Sequence, residues 1–143
     1  MCEKNCFLTK FLYTNEINKI AFDNQFLKKC FLGRFPADVS PIIETSPVCW
    51  IWNTDEKHEE GKHWVGVWVD NGKMWFFDSF AKSLNFYKRK YWLDIAKKLN
   101  VQFIYVQKNS LQSITTNTCG YWSLFYLYNK SRNNIKKKKN GKY

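Results

Sequence analysis

Cys119 stands where a polar stretch, KNSLQSITTNT, gives way to the apolar run CGYWSLFYLYN. If that run is a helix, the thiol sits at its N-terminus, where free N–H groups and the positive end of the helix dipole favour negative charge on sulfur. Gly120 beside it lets a substrate backbone come close. A thiol that attacks a carbonyl also needs a histidine to take and return a proton, an acid to orient that histidine, and donors for the developing oxyanion. His63 opens the run HWVGVWVD and Asp78 closes KMWFFD, so both are candidates for the proton-handling pair. Gln112 lies seven residues before Cys119, near enough for its side-chain amide to act as an oxyanion donor.

Other residues of the same types read more plainly. Cys30 and Cys49 lie in apolar surroundings and read as core thiols, and His58 reads as a loop histidine. His58 and His63 are five apart across a glycine loop, not four apart on a helix, so no metal site is expected. Asp70 competes with Asp78 for the acid role, but it sits beside the Asn71-Gly72 turn, at the far end of the hairpin from His63.

The elements that must position these groups follow from periodicity. Val65, Val67 and Val69 alternate with Trp64, Gly66 and Trp68, a strand apolar on both faces. Asn71-Gly72 is a strong hairpin signal, and KMWFFDSF is the returning strand. Pairing of 65–70 against 73–78 brings His63 and Asp78 out at the same end of the ribbon. VCWIWN (48–53) and VQFIYVQ (101–107) read as further strands. Within 14–30 a helix is expected to open near Asn15, with its end left open, and further helices are expected over 84–99, with one apolar and one basic face, and over 119–129. FLGRFPADVSP, with Gly33, Pro36 and Pro41 close together, reads as an irregular surface segment, and 54–62 as a loop. Strands and helices mix without regular alternation, so the class is α+β.

A chain of 143 residues suits one domain with a real core, and 45% hydrophobic with 19% aromatic residues excludes a wholly disordered chain. No stretch approaches the length of a membrane span, and the N-terminus lacks the long apolar centre of a signal peptide. Five cysteines without CxxC spacing point to a reducing compartment rather than a disulfide framework or a zinc ribbon. The net charge of +11 is unevenly spread. Seven of the 23 basic residues lie from Lys130 onward with no acid among them, which leaves the first 129 residues at only +4, sixteen basic against twelve acidic. Residues 1–130 are therefore read as the domain and 131–143 as a basic, disordered tail.

In the order His63, Asp78, Gln112, Cys119, with the flanks GKHWVGVWVD, MWFFDSF, QSITTNTC and TCGYWSLFYL, the chain resembles the adenovirus-type cysteine endopeptidases (adenain) and their relatives, the SUMO-specific proteases. CFLGRFPADVSP followed by VCWIWNT extends the resemblance to adenain upstream, so that it covers residues 17 to 129. The resemblance implies a papain-like fold with a central mixed sheet flanked by helices. It also implies Cys119 as nucleophile, His63 as base and then acid, Asp78 as the group orienting His63, and Gln112 with the Cys119 backbone N–H as the oxyanion hole. Asp78 stands where the adenovirus enzymes carry Glu and the SUMO proteases carry Asp.

The activity so implied is cleavage of viral precursor proteins at glycine-containing sites during particle maturation, by a monomer in the virion and the host nucleus or cytoplasm. Neither a membrane nor a small-molecule cofactor is implied. The same resemblance implies DNA and an activating peptide as cofactors, with Lys88, Arg89, Lys90, Lys97, Lys98 and the tail as DNA contacts. The family's peptide-linking cysteine falls on Val101 here, which removes that disulfide. The competing readings are a deubiquitinating or SUMO-removing protease, an acetyltransferase using a similar triad, and a non-enzymatic basic module that binds nucleic acid.

Overall fold

The valines and tryptophans of VCWIWN and HWVGVWV leave neither strand a polar face, so both must be covered on two sides. The computed structural model describes residues 14–59, 63–82, 89–107, 109–110 and 119–140, and it shows this covering. In chain order the elements are α1 (Thr14–Asp23), a 3₁₀ turn (Leu27–Lys29), β1 (Phe31–Phe35), β2 (Val48–Asn53), β3 (Trp64–Asp70), β4 (Lys73–Phe77), α2 (Arg89–Lys98), β5 (Phe103–Val106) and α3 (Cys119–Lys139). The five strands form one sheet in sequence order. The β1–β2 and β4–β5 pairs are parallel, and the two pairs between them are antiparallel. The fold is α+β with a mixed sheet, which fits the expected class.

Two cores flank the sheet. On one face Ile17 and Ala21 of α1 and Leu124 and Leu127 of α3 pack with Cys49, Ile51, Trp64 and Trp68. On the other, Trp92, Ile95 and Ala96 of α2 pack with Trp50, Trp52, Val65, Val67, Met74 and Phe76. Trp50, Trp52 and Trp92 are completely buried, and Trp92 meets Trp52 edge to face at 4.3 Å between ring centroids. Side chains of that size, fully buried, dominate the apolar driving force.

Two expectations are corrected, and one boundary left open by the sequence is set. The segment read as irregular contains β1, because β2 supplies a parallel partner that a local pattern does not reveal. The expected irregularity survives only at Gly33, with φ of 128° and a register shift between Phe31 and Arg34. The first helix, whose end the sequence leaves open, stops at Asp23, because the Asn24 side chain accepts from the Phe26 and Leu27 N–H groups at 2.9 and 3.1 Å and starts a new turn. The last helix does not stop near residue 129 but runs to Lys139, with Ser131 buried, so most of the expected tail is helical. Lysine is a good helix former, and its charge suits a helix C-terminus. Of the expected helix over 84–99, residues 84–88 lie outside the described residues.

Candidate active site

The β3–β4 hairpin sets the first two groups. Asn71 and Gly72 both have positive φ, 48° and 75°, as a tight two-residue turn requires, and this fixes a register running from Asp70↔Lys73 to Gly66↔Phe77. His63 lies just before β3 and Asp78 just after β4. His63 Nε2 and Asp78 Oδ1 are 2.6 Å apart, with both side chains buried. Asp78 is held in turn from behind, since Oδ1 accepts the Phe80 N–H at 3.0 Å and Oδ2 the Lys82 N–H at 3.1 Å. The Phe80 ring stacks on the imidazole at 4.4 Å, with 17° between the planes.

Helix α3 brings the sulfur. Ser123 Oγ donates to the Trp64 carbonyl at 3.3 Å, and Gly66 lets the helix backbone lie close to β3. A Cβ at Gly66 would sit 3.4 Å from the Ser123 carbonyl oxygen and 3.5 Å from Leu127 Cγ. Docked in this way, the first residue of the helix, Cys119, is buried beside the start of β3, and its Sγ accepts the Trp64 N–H at 3.5 Å. The Cys119 side chain is close enough to His63 to act on the charge of its imidazole. Because Asp78 occupies Nε2, Nδ1 is the ring nitrogen left for the thiol.

The electrostatics favour the protonated imidazole. Burial pushes the imidazole toward its neutral form. The hydrogen bond to Asp78 and the nearby Cys119 sulfur, with the negative charge on each partner, outweigh that and raise the His63 pKa to about 9. An ionised carboxylate can only accept, so Asp78 fixes the neutral tautomer with its proton on Nε2 and turns the Nδ1 lone pair toward sulfur.

Of the residues singled out from sequence, His63, Asp78 and Cys119 come together, although the nearest pair among them is separated by 15 residues of chain. Gln112 and Lys88 lie outside the described residues. Asp70 is remote, near the turn, where it accepts from Ser46 Oγ at 3.0 Å. Lys90, Lys97 and Lys98 lie on α2, across the sheet from α3 and its Lys136–Lys139, so the two basic sets occupy opposite layers. Sequence reasoning missed the Trp64 N–H that faces sulfur and the Phe80 ring. Phe80 was accessible in principle, since the hairpin register, extended past both strands, sets it opposite His63.

A buried imidazole held between a carboxylate and a thiol at a helix N-terminus is the arrangement of a thiol hydrolase. No family model matches the chain. The chain is similar to a protein of Acanthamoeba polyphaga mimivirus that carries the provisional name thiol protease. The two are 30% identical over 150 aligned positions, covering 83% of this chain and 47% of the relative. This chain therefore spans about half the length of that protein. The likeness supports a relationship to a viral thiol protease.

Proposed function

We propose that the chain is a cysteine peptidase domain in which Cys119, His63 and Asp78 act together. The observation that carries this reading is the buried imidazole bonded to Asp78 through Nε2 at 2.6 Å, with the Cys119 sulfur beside it on the Trp64 N–H at 3.5 Å. His63 takes the thiol proton, and the sulfur attacks the scissile carbonyl. The resulting imidazolium, steadied by Asp78, then protonates the leaving amine. Water hydrolyses the thioester with His63 again as base. The backbone N–H of Cys119, at a helix start where it has no partner within the helix, is one donor for the oxyanion, and Gln112 is the second by the family resemblance.

The finer reading rests on the resemblance to adenain. It is an endopeptidase acting at glycine-containing sites of viral precursor proteins, in the virion and the host nucleus or cytoplasm, with DNA and a peptide as activators. The relative's viral source and its name support the protease part of this reading.

The test is hydrolysis of fluorogenic glycine-containing peptides beside fluorogenic ubiquitin and SUMO substrates, with and without DNA. Cys119→Ala should lower turnover by about four orders of magnitude. Turnover that survives Cys119→Ala overturns the reading, and a preference for the ubiquitin or SUMO substrate replaces maturation with deconjugation. In parallel, alkylation of Cys119 at neutral pH should slow markedly in His63→Ala. Equal rates in both proteins would separate the thiol from the imidazole.

A further inference from the structure

A second pair of thiols lies well away from Cys119. Cys30 follows the 3₁₀ turn, and Cys49 is the second residue of β2. The Cys49 N–H donates to the Cys30 carbonyl at 2.9 Å, which locks the two backbones side by side, and the sulfurs are 3.7 Å apart. The two cysteines differ in access. Cys49 is fully buried, whereas Cys30 is partly exposed and lines a cavity of about 220 Å³ together with Lys29, Trp68, Ser131 and Lys138. The Cys30 sulfur lies 3.6 Å from the Leu27 carbonyl oxygen, which accepts its one S–H, and 3.7 Å from Ser131 Oγ, whose hydroxyl is placed to donate to a thiolate.

We propose that Cys30 and Cys49 form a redox-active dithiol, which hydrogen peroxide entering this cavity converts into a Cys30–Cys49 disulfide. Cys30 is the attacking sulfur because it faces the cavity and the Lys138 ammonium. Its pKa is lowered, first by the Cys49 hydrogen bond and then by Ser131 and Lys138, against the opposing effect of burial. Burial, with Cys30 beside it, raises the Cys49 thiol well above its ordinary value, which suits it to the second step only.

In the first step the Cys30 thiolate attacks one peroxide oxygen. The S–O bond forms, the O–O bond breaks, and the leaving hydroxide takes a proton to become water. In the second, the Cys49 sulfur attacks the sulfenyl sulfur of Cys30. The S–S bond forms, the S–O bond breaks, and the departing hydroxide carries off the Cys49 proton as a second water. The two thiols lose two electrons and the peroxide gains them.

The sulfurs must close from 3.7 Å to a bond of about 2.05 Å, a side-chain movement between two residues whose backbones are already hydrogen-bonded. This chemistry does not depend on the peptidase reading. Cys49 pairs with Trp68, and Asn53, four residues on, pairs with Trp64 beside Cys119, which puts the two sulfur sites roughly 13 Å apart along the strands.

Peptide mapping of the reduced full chain after graded hydrogen peroxide treatment, with remaining thiols capped by N-ethylmaleimide, tests the site. The expected result is joint loss of the Cys30 and Cys49 caps and one cross-linked peptide lighter by two hydrogens, restored by dithiothreitol and formed equally in Cys119→Ala. Cys49→Ser should leave a sulfenic acid on Cys30 that dimedone captures. The proposal is overturned if Cys30 passes to sulfinic acid while Cys49 is still capped, if Cys30 cross-links to another cysteine, or if both stay reduced while Cys119 is oxidised. The map of the unsubstituted chain decides the matter even if the serine variant fails to fold.

Discussion

Asp78 accepts from the backbone N–H groups of Phe80 and Lys82 while it holds Nε2 of His63, so its carboxylate is fixed before the imidazole approaches. Asp78→Asn places an amide where only an acceptor suits both the ring and the backbone. Peptide turnover should fall by about 10²- to 10⁴-fold, with the fold retained by circular dichroism. Phe80→Ala removes the stacked ring and frees the imidazole to rotate, and the expected signature is a fall in kcat with KM little changed. The raised pKa of His63 also makes a statement about stability. Since the folded value of about 9 exceeds the ordinary 6.5, protonation favours the native state. That contribution is complete below about pH 6.5 and is lost as pH rises through 9. Thermal midpoints of the wild type and His63→Gln should therefore converge across this window, and a constant gap would contradict the assignment. His63 and Asp78 were legible in the sequence because one short turn relates them, whereas the Trp64 N–H facing sulfur depends on a helix that arrives from far along the chain.

At the scale of elements, the seam between β3 and α3 determines whether sulfur meets imidazole. Gly66→Ala adds a methyl at ordinary contact distance and should be tolerated, whereas Gly66→Val pushes on Ser123 and Leu127 and shifts the helix start. A stability loss of about 1–3 kcal/mol in urea unfolding is expected for the valine variant, together with slower Cys119 alkylation. The hairpin was readable because alternation and Asn71-Gly72 are local signals, and the register they imply is the one observed. β1 was not, since its hydrogen-bonding partner Cys49 follows Phe31 only after a long connection, and Gly33 interrupts its pattern. The extent of α3 was also hidden. Its second half has few apolar residues, and what marks it as part of the fold is the buried hydroxyl of Ser131 against Cys30.

For the molecule as a whole, the two cores contribute unequally to the site. The layer beneath α3 carries Cys119, whereas the layer under α2 supports the sheet from the opposite side. Trp92→Ala should cost about 3–5 kcal/mol in chemical denaturation, because its ring touches both Trp52 and Phe76. Pairing of His63 with Asp78 spans 15 residues, whereas Trp64 and Cys119 are separated by 55. A ribosome makes the chain from its amino end, so His63 and Asp78 are both synthesised before the sulfur-bearing helix that covers their hairpin. The groups of the candidate site thus come together only when that late helix has emerged and docked on β3.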